Sequence, residues 1–402
     1  MKINVERLMQ TIHRVGEVGK TESGINRTAF SRAYKIGAEI LKREMEEAGL
    51  EVRVDTVGNM FGRKRCGSDK GEGDVIMMGS HLDTVVNGGL YDGNLGIAAA
   101  LECVRTINDS GIPIKQDIEI AAFNAEEGGP LGGTFGSRTA MGNQSINSPG
   151  IEEKLEQIGL RKEDILLAKI DYPIGKYVEL HIEQGDKLYK SGDKIGIVKG
   201  IVGITRFRVT VFGQANHAGT TGMKGRKDSL VKACSLISFI NSYAESQDEP
   251  FVATVGKIEN EPNSVNVIPG KTTFIVEIRD MDRKRIERFI SELRRQADAL
   301  EGCKTDISLY SDKESVILDR AMTVSIEKVC MEKSLSFRKM YSGAGHDAME
   351  LAKKVPSALI FVPSKDGISH NPEEFTAEED IAVGAQLLFD YIFSLVAEDY
   401  CR

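Results

Sequence analysis

The chain has 402 residues, of which 41% are hydrophobic and 28% charged, with a formal net charge of −8. Its length exceeds the roughly 250–300 residues at which a single core stops growing, so two domains are expected. The acidic balance, without a dense Lys/Arg cluster, excludes a nucleic-acid binder, and no apolar run approaches the ~20 residues that span a bilayer. In chain order, MKINVERLMQTIH reads as an amphipathic helix and not as a signal peptide. Helical spacing over 28–49 stops at Gly49. Strand patterns follow at EVRVDTVG, DVIMMGSH and DIEIAAFN, with a helical stretch Leu95–Ile107 between the last two. This βαβ rhythm predicts an α/β sheet covered by helices.

From about Ile204 to about Glu314 the order becomes strand (TRFRVTVFG), helix (228–246), strand (FVATVGKI), turn (EPNS), strand (KTTFIVEIRD), helix (282–300), strand (TDISLYS). That is a βαββαβ unit inserted into the larger domain. The chain closes on a helix over 378–397 with Leu388, Tyr391, Ile392 and Leu395 on one face. Six cysteines, at 66, 103, 234, 303, 330 and 401, form no CxxC and no tight framework. Buried reduced thiols and a cytoplasmic protein are therefore expected.

The chain has only 6 His. Three of them join two carboxylates in polar, Gly-flanked settings: His81 in GSHLDTV, Asp92 in LYDGNLG, Glu127 in FNAEEGG, His181 in ELHIEQG and His370 in GISHNPEE. A lone His is more often structural, and Asp92 by itself reads equally as a helix cap or turn residue. Together, three His and two carboxylates suit Zn²⁺, with Mn²⁺, Co²⁺ and Ni²⁺ left open by residue type. The adjacent acids Glu126 and Glu127 repel one another unless a cation is near. Glu126 is placed to act as a base beside a ligand, and Asp83, two residues after His81, is the expected partner fixing that imidazole's tautomer. No GxSxG elbow or P-loop appears.

These motifs resemble the M20 metallopeptidase superfamily, in its amidase/hydantoinase–carbamoylase branch, over essentially the whole chain. The resemblance implies a mixed-sheet, zinc-exopeptidase-like catalytic domain (1–206 and 318–402) carrying an inserted ferredoxin-like lid and dimerisation domain (207–317). It implies two divalent cations: one held by His81, Asp92 and His181, the other by the shared Asp92, Glu127 and His370, with Glu126 as general base. His181 stands where the peptidase and aminoacylase branches carry a carboxylate, which favours the carbamoylase branch over a dipeptidase. The resemblance further implies that His217, in GQANHAGTTGM, donates to the oxyanion across a homodimer interface. Asn266 in SVNVIPG, Arg279 in EIRDMD and Gly345 in SGAGHDA match substrate-binding positions.

Arg279 suits a bidentate grip on a carboxylate, with a surface ion pair to Asp280 or Asp282 as its bland alternative. Gln184 offers both donor and acceptor to a ureido group. His346 is open between substrate contact and packing, and His13 reads as structural. The expected reaction is metal-dependent hydrolysis of the C–N bond of an N-carbamoyl amino acid or related ureido acid. Allantoate, also a ureido carboxylate, is the competing substrate, and a dipeptidase or aminoacylase activity is the further alternative.

Overall fold

The structure is a computed structural model that describes residues 1–66 and 74–397; Cys401 lies outside them. The chain divides into two compact units, residues 1–199 with 317–402, and residues 200–316.

In the first unit the strands Ser357–Val362, Ile174–Ile182, Val75–His81 and Ile118–Phe123 lie side by side and run parallel. Met60–Lys64 and Ile195–Ile201 pair antiparallel on the two flanks, so the sheet is mixed. Val75–His81, Ile118–Phe123 and Ser357–Val362 are buried at every position. Their near-continuous apolar sequences are what parallel strands covered on both faces require. The cover includes the helices Val5–Gly16, Asn94–Ser110 and Glu378–Val396, which share one core through Leu8, Ile12, Leu95, Ala99, Leu388 and Ile392.

The expected helix over 28–49 is shorter, Arg32–Glu47, because the Ser31 side chain accepts from the Tyr34 amide and caps it there. Three six-residue helices, Phe135–Ala140, Ile151–Glu156 and Lys162–Leu167, fill a stretch the sequence left unassigned. Six residues are too few to show a helical period. Parallel strands finish at one edge of a sheet, the usual place for a ligand site in such folds.

The second unit is a four-stranded antiparallel sheet in the order Val252–Glu261, Lys271–Asp280, Gly203–Phe212, Lys304–Lys313. The helices Ser229–Glu245 and Arg283–Asp298 supply Leu236, Ile240, Phe289 and Leu293 to a core with Val209, Val211, Phe274 and Val276. This is the βαββαβ order read from the sequence. This unit takes in the whole of Gly203–Phe212, which pairs along its length with Lys271–Asp280.

No helix among the described residues is long and apolar enough to cross a membrane. Cys66, Cys103 and Cys330 are buried, and Cys303 is half-buried. Cys234 departs from the buried-thiol expectation. It is exposed, because its neighbour Ala233 takes the inward position on the helix.

Candidate metal centre and active site

His81 ends its strand and His181 is the penultimate residue of the neighbouring one. The register in which Met78 faces Val178 carries both imidazoles, three residues further on, to the same level. Each ring is oriented by its own backbone. His81 Nδ1 lies 2.9 Å from the Asp83 carbonyl and His181 Nδ1 lies 2.8 Å from the Ile182 carbonyl. Carbonyls only accept, so each Nδ1 carries the hydrogen and each neutral ring offers its Nε2 lone pair. Those Nε2 atoms are 3.5 Å apart and lie 3.3 Å (His81) and 3.1 Å (His181) from Asp92 Oδ1.

Asp92 Oδ1 is buried and, among the described residues, has no hydrogen-bond donor. Three electron-pair donors thus converge on one point, and positive charge must lie between them. Protons or a metal ion would supply it, and the donor set of two imidazoles and a carboxylate fits a divalent cation. The ionisation of these groups reflects the same demand. Burial would lower the His81 pKa, but contact with Asp92 and the charge of Glu126 hold it well above the ordinary value. Burial would raise Asp92, and the two imidazoles hold it well below the carboxylate range.

Asp92 reaches this position from the loop before Asn94–Ser110. Gly93 is the N-cap, so the Asp92 carboxylate is not spent on capping. Gly93 has φ 67°, and a Cβ there would lie 2.5 Å from the His81 ring, so no other residue fits without displacing that ligand.

The other carboxylate oxygen serves a second group. Asp92 Oδ2 is 3.5 Å from His370 Nε2, which is 3.2 Å from Glu127 Oε2. Unlike His81 and His181, His370 is half-exposed. Its pairing with Glu127 raises it to about 8. Glu126 Oε2 lies 4.0 Å from His81 Nε2, at the mouth of the first group. The loop carrying both acids turns at Ala125, whose φ of 57° is unusual for a side chain with a Cβ. Gln184 and His370 also have positive φ. Such backbone strain at three site loops persists only where the surroundings enforce it.

Part of that enforcement comes from Asp83. Its carboxylate accepts from the Glu126 and Glu127 amides, both at 3.1 Å. This corrects the expectation for Asp83. The backbone carbonyl fixes the His81 tautomer, while the carboxylate lies 3.9 Å from that ring and anchors the turn beneath Glu126.

The pattern of peptidase family M20/M25/M40 matches residues 77–394. The chain belongs to this family. It is 34% identical to an N-carbamoyl-L-amino acid amidohydrolase of Geobacillus stearothermophilus, covering 98% of this chain and 99% of that one. It is 33% identical to an allantoate amidohydrolase of Bacillus subtilis strain 168, covering 93% of each. A hydantoinase/carbamoylase family amidase from Burkholderia ambifaria superposes with a TM-score of 0.88 at 30% identity, over 99% of both chains.

Four further expected residues of this M20 chain belong to the second unit or to loops. His217 is exposed, and its Nδ1 accepts from the Gly219 and Thr220 amides at 3.1 and 3.2 Å. Its Nε2 therefore carries the hydrogen and points outward as a donor. Asn266 holds the same loop, its carbonyl accepting from the Ala218 amide at 3.0 Å. Arg279 pairs with Glu277, Nη2 to Oε1 at 2.7 Å. Residues two apart on a strand share a face, whereas Asp280 points to the other. Gly345 lies half-buried in the loop after Phe337–Ser342.

In the first unit Gln184 Nε2 donates to Asp92 Oδ2 at 2.8 Å, and its Oε1 is buried without a donor among the described residues. His346 packs: its ring centroid is 4.6 Å from that of His181, and its Nε2 is 2.9 Å from Ser342 Oγ. His13 is exposed, 3.4 Å from Glu17.

The sequence reading missed the acids beneath the centre of this M20 fold. Glu179 is fully buried one turn of the pleat before His181 and accepts from Ser80 Oγ and the Ala348 amide, both at 2.8 Å. Asp347 is buried close by, and burial with the charges of Glu179 and Glu126 raises it well above the carboxylate range. Nothing in ELHIEQG or SGAGHDA distinguishes these from surface acids. Glu374 and Ser369 also contact Asp92, and the only signal was their place in the quoted SHNPEE run.

Proposed function

We propose that this protein is a metal-dependent amidohydrolase that cleaves the ureido C–N bond of N-carbamoyl-L-amino acids or a close ureido acid. The observation that carries this reading is the convergence of His81, His181 and His370 on the two oxygens of Asp92, with Glu127 against His370 and Glu126 beside His81. Relatives named for ureido substrates support the substrate class. His81, His181 and Asp92 would hold one divalent cation, and Asp92, Glu127 and His370 a second, with Zn²⁺ the best match to the donors. When bound there, divalent cations would supply Lewis-acid polarisation of the scissile carbonyl and would lower the pKa of a water from 15.7 towards ~7.

Glu126 takes a proton from the attacking water and returns it to the departing nitrogen, so one carboxylate serves as base and then as acid. Water adds to the carbamoyl carbon, the C–N bond to the amino acid breaks, and carbamate leaves to give carbon dioxide and ammonia. Arg279, already paired with Glu277, has a planar guanidinium suited to the substrate carboxylate, and Asn266 flanks it in role. His217 Nε2–H is the donor suited to the developing oxyanion, and the reading places it across a homodimer formed by the second unit. Gln184 and Gly345 complete the substrate contacts, in a cytoplasmic enzyme.

The deciding experiment is a substrate panel on the purified protein, with metal content measured on the same sample. N-carbamoyl-L-amino acids or allantoate should turn over, and dipeptides and N-acyl amino acids should not. Preferential peptide turnover would overturn the ureido reading.

A further inference from the structure

Glu374 is buried and holds the backbone on which Asp92 stands. Its Oε1 accepts from the amides of Tyr91, at 2.9 Å, and Asp92, at 3.1 Å. Its Oε2 lies 3.0 Å from Ser369 Oγ, and that hydroxyl lies 3.1 Å from Asp92 Oδ2. Ser369 is the neighbour of His370 in the chain. One side chain therefore ties the loop carrying Asp92 to the loop carrying His370, although the two lie far apart in sequence. The fold reserves the space. A Cβ on Gly89 would fall 2.3 Å from the Glu374 carboxylate carbon.

We infer that Glu374, acting with Ser369, is a positioning residue that sets Asp92 Oδ2 and His370 Nε2 at the separation the second cation needs. It touches neither cation nor substrate. It fixes the backbone from which Asp92 projects and, through Ser369, the direction of the Oδ2 lone pairs. The inference rests on the two-cation reading above. Its signature is asymmetric. The group formed by His81, His181 and Asp92 Oδ1 keeps two ligands on strands that Glu374 does not touch, so that group should survive removal of Glu374.

The test titrates Zn²⁺ into metal-stripped protein against a competing chelator, counting equivalents and their affinities. Wild type should take two equivalents. E374A should weaken one of them by about 10–100-fold, the usual effect of removing a group that orients a metal ligand, and leave the other within about threefold. E374Q should behave as wild type at both, since its amide oxygen can still accept from the Tyr91 and Asp92 amides. S369A and G89A should weaken the same single equivalent, so the inference stays testable if E374A fails to fold. Wild type taking fewer than two equivalents would refute the two-cation reading itself. Two unchanged equivalents in E374A, or an equal loss at both sites in S369A and G89A, would overturn the role given to Glu374.

Discussion

The two groups that meet at Asp92 differ in how they are built. His81 and His181 stand on adjacent buried strands, and each ring is fixed by a backbone carbonyl. Glu127 and His370 stand on loops, and His370 is half-exposed with a φ of 54°. One half of the centre is therefore part of the core, and the other is assembled from its rim. We propose that a cation held by the core half would exchange slowly and one held at the rim faster, with Glu126 beside the core half.

The largest effect that would sharpen this contrast is the loss of the base. E126Q should lower kcat by about 10²–10⁴-fold, the usual worth of general acid–base catalysis, while both metal equivalents stay bound. Near-normal turnover would remove Glu126 from that role. Next, a chelator should strip wild type in two phases, and H370A should lose the fast phase alone. A slow phase that disappears in H370A would reverse the assignment of the exchangeable half.

How much of this was legible in the sequence follows the same division. The grouping of His81 and His181 with Asp92 was implied by the family resemblance, while the strands Val75–His81 and Ile118–Phe123 announce themselves as apolar runs. The βαββαβ order of the second unit was readable for the same reason, because alternating strands and long helices carry their periods openly. The supports were not readable. That the Asp83 carboxylate holds the Glu126 and Glu127 amides, while its carbonyl holds His81, depends on a turn at Ala125 that no residue type signals. Glu374 and Glu179 are acids in polar runs, and only tertiary packing buries them.

Smaller effects test the parts away from the cations. R279A should raise KM about tenfold or more for substrates with a free carboxylate, the scale of a lost charged hydrogen bond, and leave an amide-capped analogue unchanged. Equal damage to both substrates would rule out a carboxylate clamp.

The support of the Glu126 turn offers a pH test remote from the ligands. Asp55 accepts from the Asn59 amide and side chain, and Asn59 Oδ1 accepts from the Asn124 amide just before the turn. Burial raises Asp55 from 3.8 to about 6. The folded state then binds more protons than the unfolded state between those values. The stabilising contribution is complete at low pH and is lost as pH rises through that window. The stability of wild type relative to D55N should accordingly fall from pH 4 to pH 6 and level off above it. A flat or rising difference in denaturant midpoints would contradict this.

Everything in the centre turns on Asp92 serving both groups. The most direct measurement is the metal content of D92A beside wild type and H370A, each loaded with Zn²⁺ and passed through the same desalting column. The account predicts two equivalents in wild type, one in H370A and almost none in the folded D92A protein. Two equivalents retained by D92A would show that the cations do not share this carboxylate, and the account would fail.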